Sequence, residues 1–453
     1  MVVLGATHAL GRDLWRSGER VLEFSGSVRQ VLRATGGTSA EDFQEGVARN
    51  PLVCLRAASF AECPAFDAVG ETGVYNSLTR ARLRFDLRWS PRLSARLVYD
   101  QELLFGTLST LGDSLASANE EDTFLGLEGS IDLFGFEEDG DHRRWQHRAY
   151  RAFVRFEDEH LELTVGRQRI AWGVGRLWNP IDRFNAIPPL AIEQDQVAGI
   201  DGLDLRWRFS GFTYLQAVYA PRTRAVDARY ALRFQTVVKD ADIAVMAGVF
   251  EEARTVGWEL SRNLGDAAVR VEAVYTDPRR DVWPVGAAVS EELDRFWQIV
   301  VSADTNIDVG SGIYFLVEHL YNGNALGFGE GRAGPLLPLF ESTLDAPGDA
   351  EVPVPGPLVR PASAAVLGGS RVVTSARHNT GVQVGYDLSA ALRGALLVIY
   401  DWNGQSVVLA PSISFTGLNA FDLTVGAQLF AGGRLSQYGE QETLFYALAE
   451  YFF

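Results

Sequence analysis

The sequence predicts an all-β chain: a transmembrane antiparallel β-barrel of about 18 strands, with about 16 as the alternative count. Three observations predict it. Apolar and charged residues alternate with period two over stretch after stretch. No run of about 18 apolar residues occurs that could cross a membrane as a helix. Every second connection is a tight turn, as in barrels with short turns on the periplasmic rim and longer loops outside.

Composition bounds the reading. Of 453 residues, 47% are apolar and 22% charged, too apolar for a disordered chain. The net charge of −17, with Lys239 as the single lysine, excludes general nucleic-acid binding, which needs a basic face. Residues 1–19 read as an N-terminal segment whose small residues near Ala9 resemble the tail of a secretory signal. Residues 20–453 read as one barrel domain. Cys54 and Cys63, close together in a Gly/Ala/Pro-rich stretch, suit a loop disulfide made in an oxidising compartment.

Taken in order, Val21–Ala34 is a first, weakly patterned strand, followed by a long loop over residues 35–75. The next is the cleanest: Ala81, Leu83, Phe85, Leu87 and Trp89 alternate with Arg80, Arg82, Arg84, Asp86 and Arg88. A Ser90-Pro91-Arg92 turn leads to Ala95, Leu97 and Tyr99 opposite Arg96, Val98 and Asp100. A second long segment, 106–145, carries the acidic clusters 120–122 and 137–139. Tyr150, Ala152, Val154 and Phe156 then share one face, with Arg151, Phe153, Arg155 and Glu157 on the other.

After Asp158-Glu159 comes Leu161–Ala186, an alternating strand that breaks at Gly173 and Gly175 into an aromatic, arginine-rich loop. The pattern resumes with Leu203, Leu205, Trp207 and Phe209 against Asp204, Arg206 and Arg208. It repeats through Phe212–Ala220, Tyr230–Phe234, Ile243–Phe250, Val256–Leu260 and Val269–Tyr275. Trp297–Ala303 and Ile313–Val317 precede a Gly/Pro-rich loop over 322–373. Val382–Leu388, Leu392–Tyr400, Val407–Phe415, Phe421–Leu429 and Phe445–Phe453 complete the set. Tight turns fall after Trp89, Glu157, Phe209, Val238, Asn263, Asn306, Leu388 and Gly417.

The apolar faces are bulky and rich in Trp, Phe and Tyr, as lipid-facing girdles are. If they face lipid, Arg80, Arg82, Arg84, Arg88, Arg151, Arg155, Arg206 and Arg208 line the lumen, together with Arg229, Arg233 and Arg270. Asp86, Asp100, Glu157, Asp204, Glu259, Glu272, Asp304 and Glu318 share that face. Such a set is either a salt-bridge lattice or an arginine ladder for anions, and rings of charge set pore selectivity. The strand of residues 80–88, four arginines against one Asp, is the best candidate for an uncompensated positive strip. Arg167, Arg169, Trp172, Asn179 and Asp182 are expected in a loop at the pore mouth, either as an ordinary outer loop or folded inward as a constriction. No metal or cofactor is expected. The six histidines are scattered without Ser/His/Asp or metal-ligand spacing, so catalysis is not expected.

The run Gly166-Arg-Gln-Arg-Ile-Ala-Trp-Gly173, with Asn179-Pro-Ile-Asp182, resembles large Gram-negative barrels of the porin-like and alginate-export-like families. Glu318–Gly323 and the ending through Gln437-Tyr438-Gly439 to Phe453 resemble them too. The resemblance implies an outer-membrane channel in contact with lipid and lipopolysaccharide, recognised by barrel-assembly machinery through Phe453, with periplasmic transport partners as a further expectation. An outer-membrane component of a lipid or hydrophobic-compound transport system, or a structural barrel or adhesin, stands as the alternative.

Overall fold

The computed structural model describes residues 12–35, 75–106, 137–140, 143–185, 187–197, 199–222, 228–250, 253–277, 295–323, 325, 374, 376–433, 436–439 and 443–453. The strands are β1 (Arg12–Ser17), β2 (Arg20–Thr35), β3 (Tyr75–Ser90), β4 (Leu93–Gly106), β5 (Glu137–Gly140), β6 (Arg143–Glu157), β7 (Leu161–Gln168), β8 (Ile200–Arg208), β9 (Tyr214–Ala220) and β10 (Arg229–Val238). They continue with β11 (Ala241–Phe250), β12 (Ala253–Leu264), β13 (Ala267–Asp277), β14 (Phe296–Ile307), β15 (Ile313–Asn322), β16 (His378–Ser389), β17 (Leu392–Asp401), β18 (Ser406–Leu418), β19 (Phe421–Ala431) and β20 (Leu444–Phe452).

Eighteen of these twenty strands among the described residues form the barrel. From β2 to β20, with β5 set aside, each strand pairs antiparallel with the next, and β20 pairs back on β2 from Ser27↔Phe452 to Thr35↔Leu444. Closure leaves no barrel edge unpaired, which a sheet in hydrocarbon requires. Phe453 seals the seam: its N–H donates to Gly26 O and its own carbonyl accepts from Gly26 N, at 2.9 and 2.8 Å. Below that point β1 takes over the edge of β2, pairing Arg12↔Phe24 through Ser17↔Arg20, so part of the leading segment belongs to the sheet. The acidic residues at 137–139 lie in β5, a short strand on the upper end of β6 rather than in a plain loop. Cys54, Cys63 and the acidic residues 120–122 lie outside the described residues.

All eight expected tight turns join consecutive strands on one rim. At one of them Lys239 and Asp240 both have positive φ (48° and 65°), the two-residue hairpin turn whose twist matches its strands. The barrel strands run from 7 residues in β9 to 16 in β2 and β3. The low stretch is β7–β9, where the chain leaves the wall at Gln168 and turns inward.

The faces sort by polarity, inverted relative to a soluble protein. On β10, Tyr230 and Leu232 are each 52% exposed, while Ala231 between them and Arg229 and Arg233 on either side are buried. Trp89, Trp207, Trp258 and Trp297 all lie on the exposed outer wall. An apolar exterior around a closed barrel is the surface a bilayer covers. Tyr150 departs from the expected alternation. A bulge in β6 opposite Val98/Tyr99 shifts the register, so Val98 faces Arg151 while Tyr99 faces Ala149. Tyr150, expected on the lipid face, is thereby turned into the lumen, where Arg82 and Arg151 stack on its ring at 3.8 and 4.1 Å.

Candidate functional site: an inward loop and an arginine wall

Between β7 and β8, residues 169–185 and 187–197 fold into the lumen. The segment begins as a hairpin held by its own amides. Asn179 Nδ2 donates to Trp172 O at 2.6 Å, and Asn179 Oδ1 accepts from Asp182 N at 3.0 Å. Asp182 Oδ1 accepts from Phe184 N and Asn185 N at 3.1 and 2.7 Å, and Asn185 Oδ1 accepts from Ile170 N at 3.0 Å. The Asn-Pro-Ile-Asp motif is thus a nested turn that clasps residues 170–172 to 179–185. Gly173 sits at φ +87°, where a Cβ would lie 2.0 Å from Asn179 Oδ1.

Two strand carboxylates seat this hairpin. Glu318 on β15 accepts from the backbone N–H of Arg176, Leu177 and Trp178 at 2.7, 2.9 and 2.7 Å. Glu272 on β13 accepts from Val174, Gly175 (2.5 Å) and Ile181 (3.3 Å). Both glutamates are 0% exposed, so the loop's N–H groups replace their water. Both lie on the lumen face as expected, but in place of a salt-bridge lattice they hold main chain.

Apolar side chains do the rest of the seating. Ile170, Trp172, Ile181 and Phe184 pack on inward residues of β9–β13, including Val218, Met246, Phe250 and Val274. Trp172 Nε1 donates to Gln216 at 3.0 Å. Leu177 and Trp178 pack on Val300, Leu316, Leu320, Ile399 and Val408 of β14–β18. The wall makes room at Gly381, where a Cβ would come 2.2 Å from Leu177 Cδ1. Residues 187–197 then cross to the opposite wall. Gln428 of β19 donates to Leu190 O at 2.7 Å, and Glu193 pairs with Arg80 at 2.6 Å and with Arg29 at 3.3 Å. Asp195 pairs with Arg29 at 2.6 Å, and Arg151 donates to Val197 O.

The inward face of β2–β8 is the arginine wall. Arg29, which also pairs with Glu450, joins β2, β20 and the loop. The expected uncompensated strip on β3 does not hold at Arg80 and Arg82. Arg80 pairs with Glu102, Arg82 with Asp100 through two bonds of 2.6 Å, and Arg84 and Arg96 share Asp86. Asp100 and Glu102 come from β4, across the register, and Glu193 from the loop, while Asp86 lies on β3 itself. Arg155, Arg206 and Arg208 converge on one buried Glu162, at 3.7, 3.5 and 2.5 Å. Nearer the short-turn rim a cavity of about 280 Å³ is lined by Glu23, Arg84, Asp86, Arg88, Arg96, Phe153 and Arg155.

The pore-mouth expectations resolve residue by residue. Trp172 and Asp182 are buried inside the lumen, Asn179 half-buried, and Arg169 exposed. Arg167 shares the outward parity of Leu163 and Val165, not the lumen's. It makes a bidentate pair with Asp201 of the neighbouring strand, 2.9 Å on each arm, where the wall is lowest. Arg29, Glu193 and Asp195 carry the crossing yet were not singled out. Arg29 had a parity signal, lying on the face of Ser25 and Ser27, but the pattern of β2 is weak. Burial pushes the Asp182 carboxyl up to about 7, against the pull of its two backbone donors, Arg169 and Arg229.

No family model matches the chain, and no curated protein matches it. Among solved structures it is similar to Pseudomonas aeruginosa OpdK with vanillate, at 11% identity and TM-score 0.50, over 95% of this chain and 98% of that one. It is also similar to Acinetobacter baumannii OccAB1, at 8% identity and TM-score 0.52 over 95% and 96%. A third is P. aeruginosa OccK8 (OprE), at 10% and 0.50 over 95% and 98%. At such identities the likeness establishes the fold alone.

Proposed function

We propose that the chain is an outer-membrane channel passing small anionic solutes along its arginine wall, narrowed by the inward loop. The observation that carries this reading is segregation within the lumen. The loop hairpin is seated on β9–β18, where the inward Arg229, Arg233 and Arg270 are buried, while on the facing sector, β2–β8, Arg84, Arg88, Arg96 and Arg155 border a cavity. The cavity beside that wall is bordered by Arg84, Arg88, Arg96 and Arg155 against Glu23 and Asp86, four cations to two anions. A passage lined this way raises the local concentration of anions and excludes cations. The similar barrel OpdK is described with vanillate, a carboxylate, the solute class such a wall would take. In the same reading, outer-membrane lipid and lipopolysaccharide cover the apolar exterior, and the strand ending in Phe453 is presented to barrel-assembly machinery.

Planar-bilayer recording of the folded barrel tests this. Anion-selective conductance steps are expected, and the double variant Arg84→Glu with Arg88→Glu should move the permeability ratio toward cations. Unchanged selectivity in that variant, or silence of correctly folded protein, would sink the proposal.

A further inference from the structure

Two imidazoles stand on neighbouring strands of the outer wall, at the rim of the long connections. His319 lies three residues before the end of β15, and His378 opens β16. The register sets His319 opposite Thr380 and Tyr321 opposite His378, so the two rings are diagonal neighbours on the outward face. His319 Nε2 and His378 Nδ1 are 3.3 Å apart. His319 Nδ1 meets Thr380 Oγ1 at 2.9 Å, and Trp402 Nε1 donates to that same oxygen at 2.8 Å. The Tyr321 ring lies against His378, centroids 5.3 Å apart. Neither imidazole serves the lumen.

We propose that His319 Nε2 and His378 Nδ1 form a two-imidazole site for a divalent transition metal such as zinc, nickel or copper. Imidazole nitrogen binds zinc at about 2.0–2.1 Å, and two tetrahedral ligands at that radius stand about 3.3–3.4 Å apart. The two nitrogens already have that separation. A metal-bound histidine needs an oxygen to accept its other ring N–H, which fixes the tautomer. Thr380 Oγ1 is that acceptor for His319, and it is held in place by Trp402, whose indole can only donate. In this tautomer His319 Nε2 keeps its lone pair for the ion. In the other tautomer the Thr380 hydroxyl donates to Nδ1 and Nε2–H donates to His378, a chain closed without a metal. An ion selects the first. Among the described residues no third His, Cys, Asp or Glu joins the pair, so interfacial water fills the remaining positions.

The test titrates the full-length, detergent-folded barrel, free of affinity histidines, with Zn²⁺ by calorimetry and with Cu²⁺ by electron paramagnetic resonance. One saturable site with a two-nitrogen hyperfine pattern is expected. His378→Ala and His319→Ala should each weaken binding by about tenfold or more, and Thr380→Val, which removes the acceptor, by about tenfold. Single-channel conductance, read in parallel, should be unchanged in all three, showing that the barrel is folded. Affinity unmoved by His378→Ala, or no saturable binding to the unsubstituted protein, overturns the site and leaves a neutral hydrogen-bonded pair.

Discussion

Replacing Glu318 by Gln should loosen the inward loop from its seat. The carboxylate accepts three backbone N–H groups, two on Oε1 and one on Oε2, with Leu177 and Trp178 buried around it. Glutamine keeps the shape but turns one oxygen into an NH2 group, which must face at least one of those donors. A buried donor left without an acceptor costs about 1–3 kcal/mol. Neutralising the side chain returns part of the carboxylate's desolvation cost. That return offsets part of the lost bond and sets the net cost toward the lower end of this range. A net cost of about 1–3 kcal/mol raises the unseated population about 5- to 150-fold. Glu318→Ala strands all three donors, about 3–9 kcal/mol, and should empty the seat.

Two readouts report the unseated loop. Trypsin cleaves after Arg183, which is buried while the hairpin is seated. Cleavage in Glu318→Gln should accelerate within the range above, with the barrel resistant to unfolding. Single-channel traces should gain open-channel noise, and Glu318→Ala should gain conductance. If Glu318→Ala keeps the parent's cleavage rate, conductance and noise, backbone capture by this carboxylate does not seat the loop.

Gly381→Val tests the seat from the other side: its Cβ would meet Leu177 Cδ1 at 2.2 Å, an overpacking worth about 1–3 kcal/mol. The same acceleration of tryptic cleavage is expected, and an unchanged rate would show that Leu177 has room elsewhere. Asp182 makes loop seating depend on pH. Its seated value of about 7 lies above the 3.8 of a free aspartate, so the seated loop holds a proton that the released loop gives up. Seating is therefore firmest below about pH 4, weakens as pH rises toward 7 and levels off above it. Asp182→Asn keeps the capping oxygen and should flatten channel noise across that window; a surviving slope assigns the dependence to another group. Arg29→Ala leaves Glu193, Asp195 and Glu450 without their shared cation, a loss of about 3–5 kcal/mol for breaking a buried pair. The expected result is a lower melting temperature of the folded barrel, and an unchanged one would show that Arg80 suffices to hold the strap.

The barrel was legible because lipid imposes a rule on every strand at once. A wall residue that meets hydrocarbon must be apolar, so Tyr230, Leu232 and Phe234 announce their face without any neighbour being known. The turns add a second rule, that of tight hairpins on one rim. Tyr150 escaped both, because a bulge moves parity by one and leaves no mark in an alternating sequence. The arginine strip failed at Arg80 and Arg82 for a related reason. Charge balance along β3 ignores Asp100 and Glu102 on β4, and those are reached only through the register.

The loop was half legible, and the half that could not be read is instructive. Its Gly, Asn and Asp residues predicted local turns, and local turns are what they make. Its inward direction depends on complementary vacancies in the wall: the buried carboxylates Glu272 and Glu318, the glycine at 381, and the apolar inward residues Val300, Leu316, Leu320, Ile399 and Val408. In a water-filled barrel such inward apolar residues would be exposed to solvent, and a buried glutamate with no cation beside it would be costly. Each is an anomaly against the lumen pattern, on a different strand from the next. Read together they describe the imprint of a segment that must lie inside. Inward apolar positions spread over β9–β18, paired with a long loop of unspent backbone donors, are therefore the sequence signal for a filled lumen, and it is one that strand-by-strand alternation averages away.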